Sequence, residues 1–74
     1  MPWTIHYRDG SIELAGEPRV NGNDMSVRFV QERFDGLNLY SAQRFYLPRW
    51  ADYQRNGIHV TRPDGTEYQP VMAG

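Results

Sequence analysis

His6 and His59 are the chain's only two histidines, and imidazole is the one side chain whose ordinary titration spans neutral pH. Each sits in an Ile-His dipeptide, and each is followed by Asp-Gly, then Ser or Thr, and a glutamate. If the two segments lie side by side, both rings face one surface near Glu13 and Glu67. That set is raw material for acid–base work or for a two-histidine, carboxylate metal site. Two shared dipeptides do not fix a geometry, and the plainer reading is a pair of exposed strand histidines, neither of them essential. Ser11, Ser26 and Ser41 lack the strained, glycine-flanked elbow of an activated nucleophile. Asp-Gly occurs at Asp9, Asp35 and Asp64, each time as turn vocabulary, without the alternating acids of a calcium loop or a glycine-rich phosphate loop. The sequence thus carries no catalytic signature, and no cofactor or metal is expected.

The richer chemistry is recognition. Phe29, Phe34, Tyr40, Phe45, Tyr46, Trp50 and Tyr53 are interleaved with Arg28, Arg33, Arg44, Arg49 and Arg55. Trp, Tyr and Arg are the types enriched at interface hot spots, and the same types stack on unpaired bases. Most of these rings must also serve as core, because the chain has few Leu and Ile. Phe29, Phe34, Phe45 and Trp50 are the expected core members, and Tyr40, Tyr46 and Tyr53 the expected edge members with a polar tip. The densest stretch is RFYLPRWADYQRNG, residues 44–57. The expected partner-binding set is Arg44, Tyr46, Arg49, Tyr53 and Arg55. Arg49 is expected to pair along the helix with Asp52, three residues on, which leaves Arg44, Tyr53 and Arg55 at the centre of the set.

These residues need a scaffold. Trp3 to Tyr7 and Ile12 to Leu14 alternate apolar and polar about Asp9-Gly10, a β-hairpin with Trp3, Ile5, Tyr7, Ile12 and Leu14 on one face and His6 and Glu13 on the other. Residues 15–24 read as a loop rich in Gly, Pro and Asn, pinned by Val20, in which Asn21-Gly22 offers a minor hairpin. Residues 25–34 fit two elements. A helix over 24–35 would be capped by Asp24 and stopped by Gly36, with Val27, Val30, Phe34 and Leu37 as its stripe. A strand would turn at Asp35-Gly36 into an extended stretch from Leu37 to Tyr46. The Val and Phe content favours the strand. Pro48 opens a short helix of about 48–56 that Asn56-Gly57 stops. Ile58 to Thr61 is a strand, Arg62 to Gly65 a turn, and residues 66–71 a return strand that Pro70 places at an edge.

The expected architecture is α+β: a small antiparallel sheet built from hairpins, with one short helix, in a single domain over 1–74. A chain of 74 residues with no cysteine cannot supplement a small core with disulfides or thiolate metal sites. Self-association into a homo-oligomer, or a protein partner, is the expected supplement. The net charge of −1 gives no global pull toward nucleic acid. The charge is nonetheless uneven, at −2 over residues 1–24, +2 over 25–56 and −1 thereafter. All eight basic residues are arginine, as a GC-rich genome gives and as bidentate, stacking contacts would favour. No apolar run approaches the roughly 20 residues of a membrane span, and the start lacks a secretory signal pattern. A cytoplasmic protein without membrane contact is expected.

In size, missing cysteine and lack of a catalytic motif, the chain resembles the small inhibitor and adaptor proteins of phages and mobile elements, such as anti-CRISPR proteins. That resemblance implies a non-enzymatic protein-interaction module that inhibits a larger nucleic-acid-processing complex. The alternative is direct binding of single-stranded nucleic acid through an arginine–aromatic face. A third reading is a small nuclease with a His/Arg/Glu site.

Overall fold

The computed structural model describes residues 2–32 and 40–71, with residues 32, 40 and 41 described by backbone alone. The order of elements is β1 (Thr4–Tyr7), β2 (Gly10–Glu13), β3 (Arg19–Asn21), β4 (Ser26–Glu32), β5 (Tyr40–Tyr46), a 3-10 turn (Leu47–Arg49), α1 (Trp50–Arg55) and β6 (His59–Thr61). The strands form two antiparallel three-stranded sheets, ordered β2-β1-β6 and β3-β4-β5. The architecture is therefore α+β with one short helix, and the strands divide between two sheets.

In the first sheet, Ile5 pairs with Ile12 and Val60. Directly opposed residues share a face, and this row points inward, with Ile5 and Val60 fully buried. The intervening rows point outward, as the alternation of the sequence requires. The β1-β2 pair closes with Tyr7 opposite Gly10, so its turn residues are Arg8-Asp9, one position earlier than the Asp-Gly dipeptide indicates. The second turn spans Arg62 to Gly65, where Gly65 takes φ +87°. Beyond it the chain makes a bridge between Thr61 and Glu67 and a Tyr68 N–H bond to the Val60 carbonyl at 2.8 Å, but no registered strand. Pro70, which has no N–H to donate, is buried just after it.

The second sheet settles residues 26–32 as strand. A helical stripe would place Val27 and Val30 together, whereas alternation places Val27 and Phe29 inward, both fully buried, and Arg28 outward. The Asp35-Gly36 turn, Phe34 and the start of the extended stretch at Leu37 lie outside the described residues. The loop expected over 15–24 contains β3, because Asn21-Gly22 begins a turn that returns the chain along β4. Met25 adopts φ +54° in that turn, and its carbonyl accepts the Leu47 N–H at 2.7 Å, tying the turn to the start of the helical segment. Val20, at 56% exposure, pins nothing. The two sheets join where the chain leaves β2: Leu14 bridges to Gln31, and the Ala15 N–H donates to the Val30 carbonyl at 2.8 Å.

Between the sheets lies a core of Ile5, Leu14, Val27, Phe29, Phe45, Leu47, Trp50 and Val60. Trp50 is 3% exposed and meets Phe45, Tyr53 and Tyr68 edge-on. Its Nε1 is the buried side-chain donor that lacks a partner among the described residues. The end of α1 is a full Schellman motif. Gly57 at φ +89° donates to the Gln54 carbonyl, Ile58 donates to the Tyr53 carbonyl, and both Ile58 and Tyr53 pack on the core. Gly57 also admits Arg8, since a Cβ there would lie 2.6 Å from the Arg8 Cγ.

Candidate functional site

The outward face of β3-β4-β5 carries a concentration of like charge. Register fixes it: Arg19 lies opposite Arg28, and Arg28 lies opposite Arg44. Directly opposed residues project to the same side. The neighbouring row, Val20-Val27-Phe45, supplies the buried Val27 and Phe45, so the arginine row must point to solvent, and all three arginines are exposed. Strands about 4.8 Å apart make this row roughly 10 Å long.

Among the described residues, only one end of the row is compensated. The Arg44 guanidinium lies 3.7 Å from the Asp24 carboxylate, while Arg19 and Arg28 have no ion-pair partner among the described residues. Asp24 is itself held by a hydrogen bond from the Ser26 hydroxyl at 2.6 Å. On the same face, one row away, stand the exposed Asn21 and Tyr46, with the buried Ser26 between them. Tyr46 is 43% exposed, and its N–H donates to the Tyr53 hydroxyl at 3.0 Å. On the other side of the arginine row are the smaller Val30 and Ala42. Among the described residues, the result is a line of guanidinium groups with one tyrosine beside it, on a face that is covered at Ser26, which is buried.

The five residues singled out by sequence divide between two places. Arg44 and Tyr46 stand on this outward face. Tyr53 packs inward against Phe45, with ring centroids 4.9 Å apart, and spends its hydroxyl on the Tyr46 backbone. Arg55, not Arg49, pairs with Asp52. The two arginines are equally far from Asp52 in sequence, but Arg49 precedes α1 with φ −104° and ψ 10°, off the helical path. Asp52 and Arg55 both lie within the helix, acid before base, the order the helix dipole favours. Arg49 remains exposed on the 3-10 turn. Sequence reading missed Arg19 and placed Arg28 only among the interleaved arginines. Asn21-Gly22 marks a turn here, but the chain pairs Asn21 with Ser26 across the four-residue loop 22–25, so the dipeptide alone does not give the register that aligns them.

The histidines meet as the side-by-side arrangement requires. His6 and His59 are opposed on β1 and β6, and their rings stack with centroids 4.5 Å apart and planes 11° apart. His6 Nε2 lies 2.9 Å from the Thr61 hydroxyl, and His59 Nδ1 is 3.9 Å from Glu67. Glu13, opposite Thr4, is separated from Glu67 by the width of β1 and β6. Among the described residues no group of three potential ligands is placed to hold a metal ion, and no pocket encloses a substrate. No helix among the described residues is long and apolar enough to cross a membrane.

The chain matches no protein family, no curated protein and no solved structure.

Proposed function

We propose that this chain is a non-enzymatic interaction module whose working surface is the outward face of β3-β4-β5 and whose partner presents negative charge. One observation carries the proposal: the row Arg19-Arg28-Arg44, exposed and, among the described residues, neutralised only at the Arg44 end. Like charges directly opposed on neighbouring strands work against the sheet. A face that retains three of them, with Tyr46 beside them, is suited to an anionic partner.

The setting that fits is the one expected from the sequence, a small inhibitor or adaptor of phage or mobile-element type acting in the cytoplasm on a larger nucleic-acid-processing complex. Self-association is a further part of the proposal, supported by the small core and by the exposed Val20 at the β3 edge. The test is capture from a host lysate with and without nuclease treatment, with sedimentation of the purified protein alongside. The wild-type chain should retain a partner that Arg28→Glu loses while remaining folded. Equal retention by both would remove this face from the account. Direct binding of a nucleic-acid strand is the second reading, and the arginine row specifically favours it.

A further inference from the structure

We infer that the Arg19-Arg28-Arg44 row is a binding site for the phosphodiester backbone of single-stranded nucleic acid, with Tyr46 as the base-stacking residue. The inference rests on the proposed binding face and names its ligand. Arginine matches phosphate oxygens with paired donors, so three guanidinium groups in line are suited to a repeating anion. A row roughly 10 Å long faces on the order of three phosphates of one strand.

Tyr46 decides between single strand and duplex. It stands one row away from the arginines, two residues from Arg44 and on the same face. A strand whose phosphates follow the arginine row therefore lays its bases over Tyr46. Only an unpaired base exposes its ring face to such a side chain. The opposite flank, Val30 and Ala42, offers no donor that would read a base edge, so the site should be tolerant of sequence. Among the described residues this face holds no enclosed pocket, which suits an extended chain rather than a small anion. Asp24 sits beside Arg44, so the Arg19 and Arg28 positions should carry more of the contact.

The experiment is fluorescence anisotropy with a labelled oligothymidylate of about twelve nucleotides, a length within the usual range for one small domain. A duplex of the same length, the variants Arg28→Gln and Tyr46→Ala, and the charge-matched control Arg8→Gln complete the set. Saturable binding of the single strand is expected, with log K falling against log salt at a slope of about −2, near −0.7 for each phosphate neutralised. Arg28→Gln should bind several-fold more weakly and reduce that slope by about 0.7. Tyr46→Ala should weaken single-strand binding but leave the salt slope unchanged, and Arg8→Gln should match the wild type. No saturable binding at low salt up to about 1 mM protein, well above ordinary non-specific dissociation constants, overturns the inference. Equal binding by Arg28→Gln, or duplex bound as tightly as single strand, also overturns it. If no oligonucleotide binds but a nuclease-treated lysate still yields a protein that Arg28→Glu loses, the ligand is an acidic protein surface and the binding face stands. If neither is seen, both fail.

Discussion

Arg28 should be a residue the fold would be more stable without. It faces Arg19 on one side and Arg44 on the other. Two exposed unit charges about 5–8 Å apart repel by about 0.5–0.8 kcal/mol in water. Two such neighbours give roughly 1–1.6 kcal/mol at low ionic strength, and screening removes about half of that at physiological salt. Arg28→Gln keeps the length of the side chain and removes the charge. It should therefore stabilise the domain by about 1 kcal/mol at low salt, and a gain of that size raises Tm by about 4–8 °C in a chain this short. The position in the row sets an order. Arg19→Gln relieves one repulsion and should gain about half as much. Arg44→Gln also gives up the 3.7 Å contact with Asp24 and should gain least. Thermal melts of the three variants, each at low and at about 1 M salt, where the screening length is near 3 Å, measure both effects. A loss of stability in Arg28→Gln at low salt, or a gain that salt leaves unchanged, would refute the electrostatic reasoning.

Trp50→Ala should unfold the domain, because truncating a buried aromatic costs about 3–5 kcal/mol and a core of this size supplies little more; a cooperative melt by that variant would show that Trp50 is not the anchor. Burial raises the Tyr7 hydroxyl pKa above 10.0, and burial raises that of Tyr68 against an opposing pull from Arg62. A raised acid pKa means that the folded state holds its proton longer, so stability should fall as pH climbs above about 10, and Tyr7→Phe with Tyr68→Phe should flatten that fall in alkaline melts. The Asp64 carboxyl is held below its ordinary value chiefly by the Thr66 hydroxyl and then by the Thr66 N–H. Its contribution should be present above about pH 4 and fade as pH drops through the lowered value, so Asp64→Asn should cost stability at neutral pH and nothing in acid. The double variant His6→Ala, His59→Ala should retain oligonucleotide binding, since that pair lies on the other sheet; complete loss in a folded protein would return the histidines to the centre of function.

The parts of the fold legible in the sequence are those that local rules decide. Alternation across Arg8 to Ser11 specified the first hairpin and its inward face, and Pro48 with Gly57 bounded the helical segment. Phe29, Phe45 and Trp50 are in the core as their size demands. What stayed hidden depends on register and on long-range packing. β3 lies within a run of Gly, Pro and Asn whose composition reads as loop, yet its three residues find a partner in β4. The two-sheet arrangement turns on the Leu14 bridge to Gln31, which no local pattern encodes. Tyr68 brings its ring within 5.5 Å of Trp3 and 6.1 Å of Trp50, although its neighbours Thr66 to Pro70 read only as an edge strand. For the site, the chemistry was visible as arginine among aromatics. Its location was not, because Arg19, Arg28 and Arg44 become neighbours only when three strands are aligned.

The most direct test of the arginine row as a polyanion-binding face is a titration of the isotope-labelled protein with oligothymidylate, followed by amide chemical shifts. The expected result is a cluster of shifts at Arg19, Arg28, Arg44 and Tyr46, with the strands of the other sheet unmoved. Shifts centred on His6 and His59, or along α1 near Arg49 and Arg55, or no shifts at saturating oligonucleotide, would contradict it.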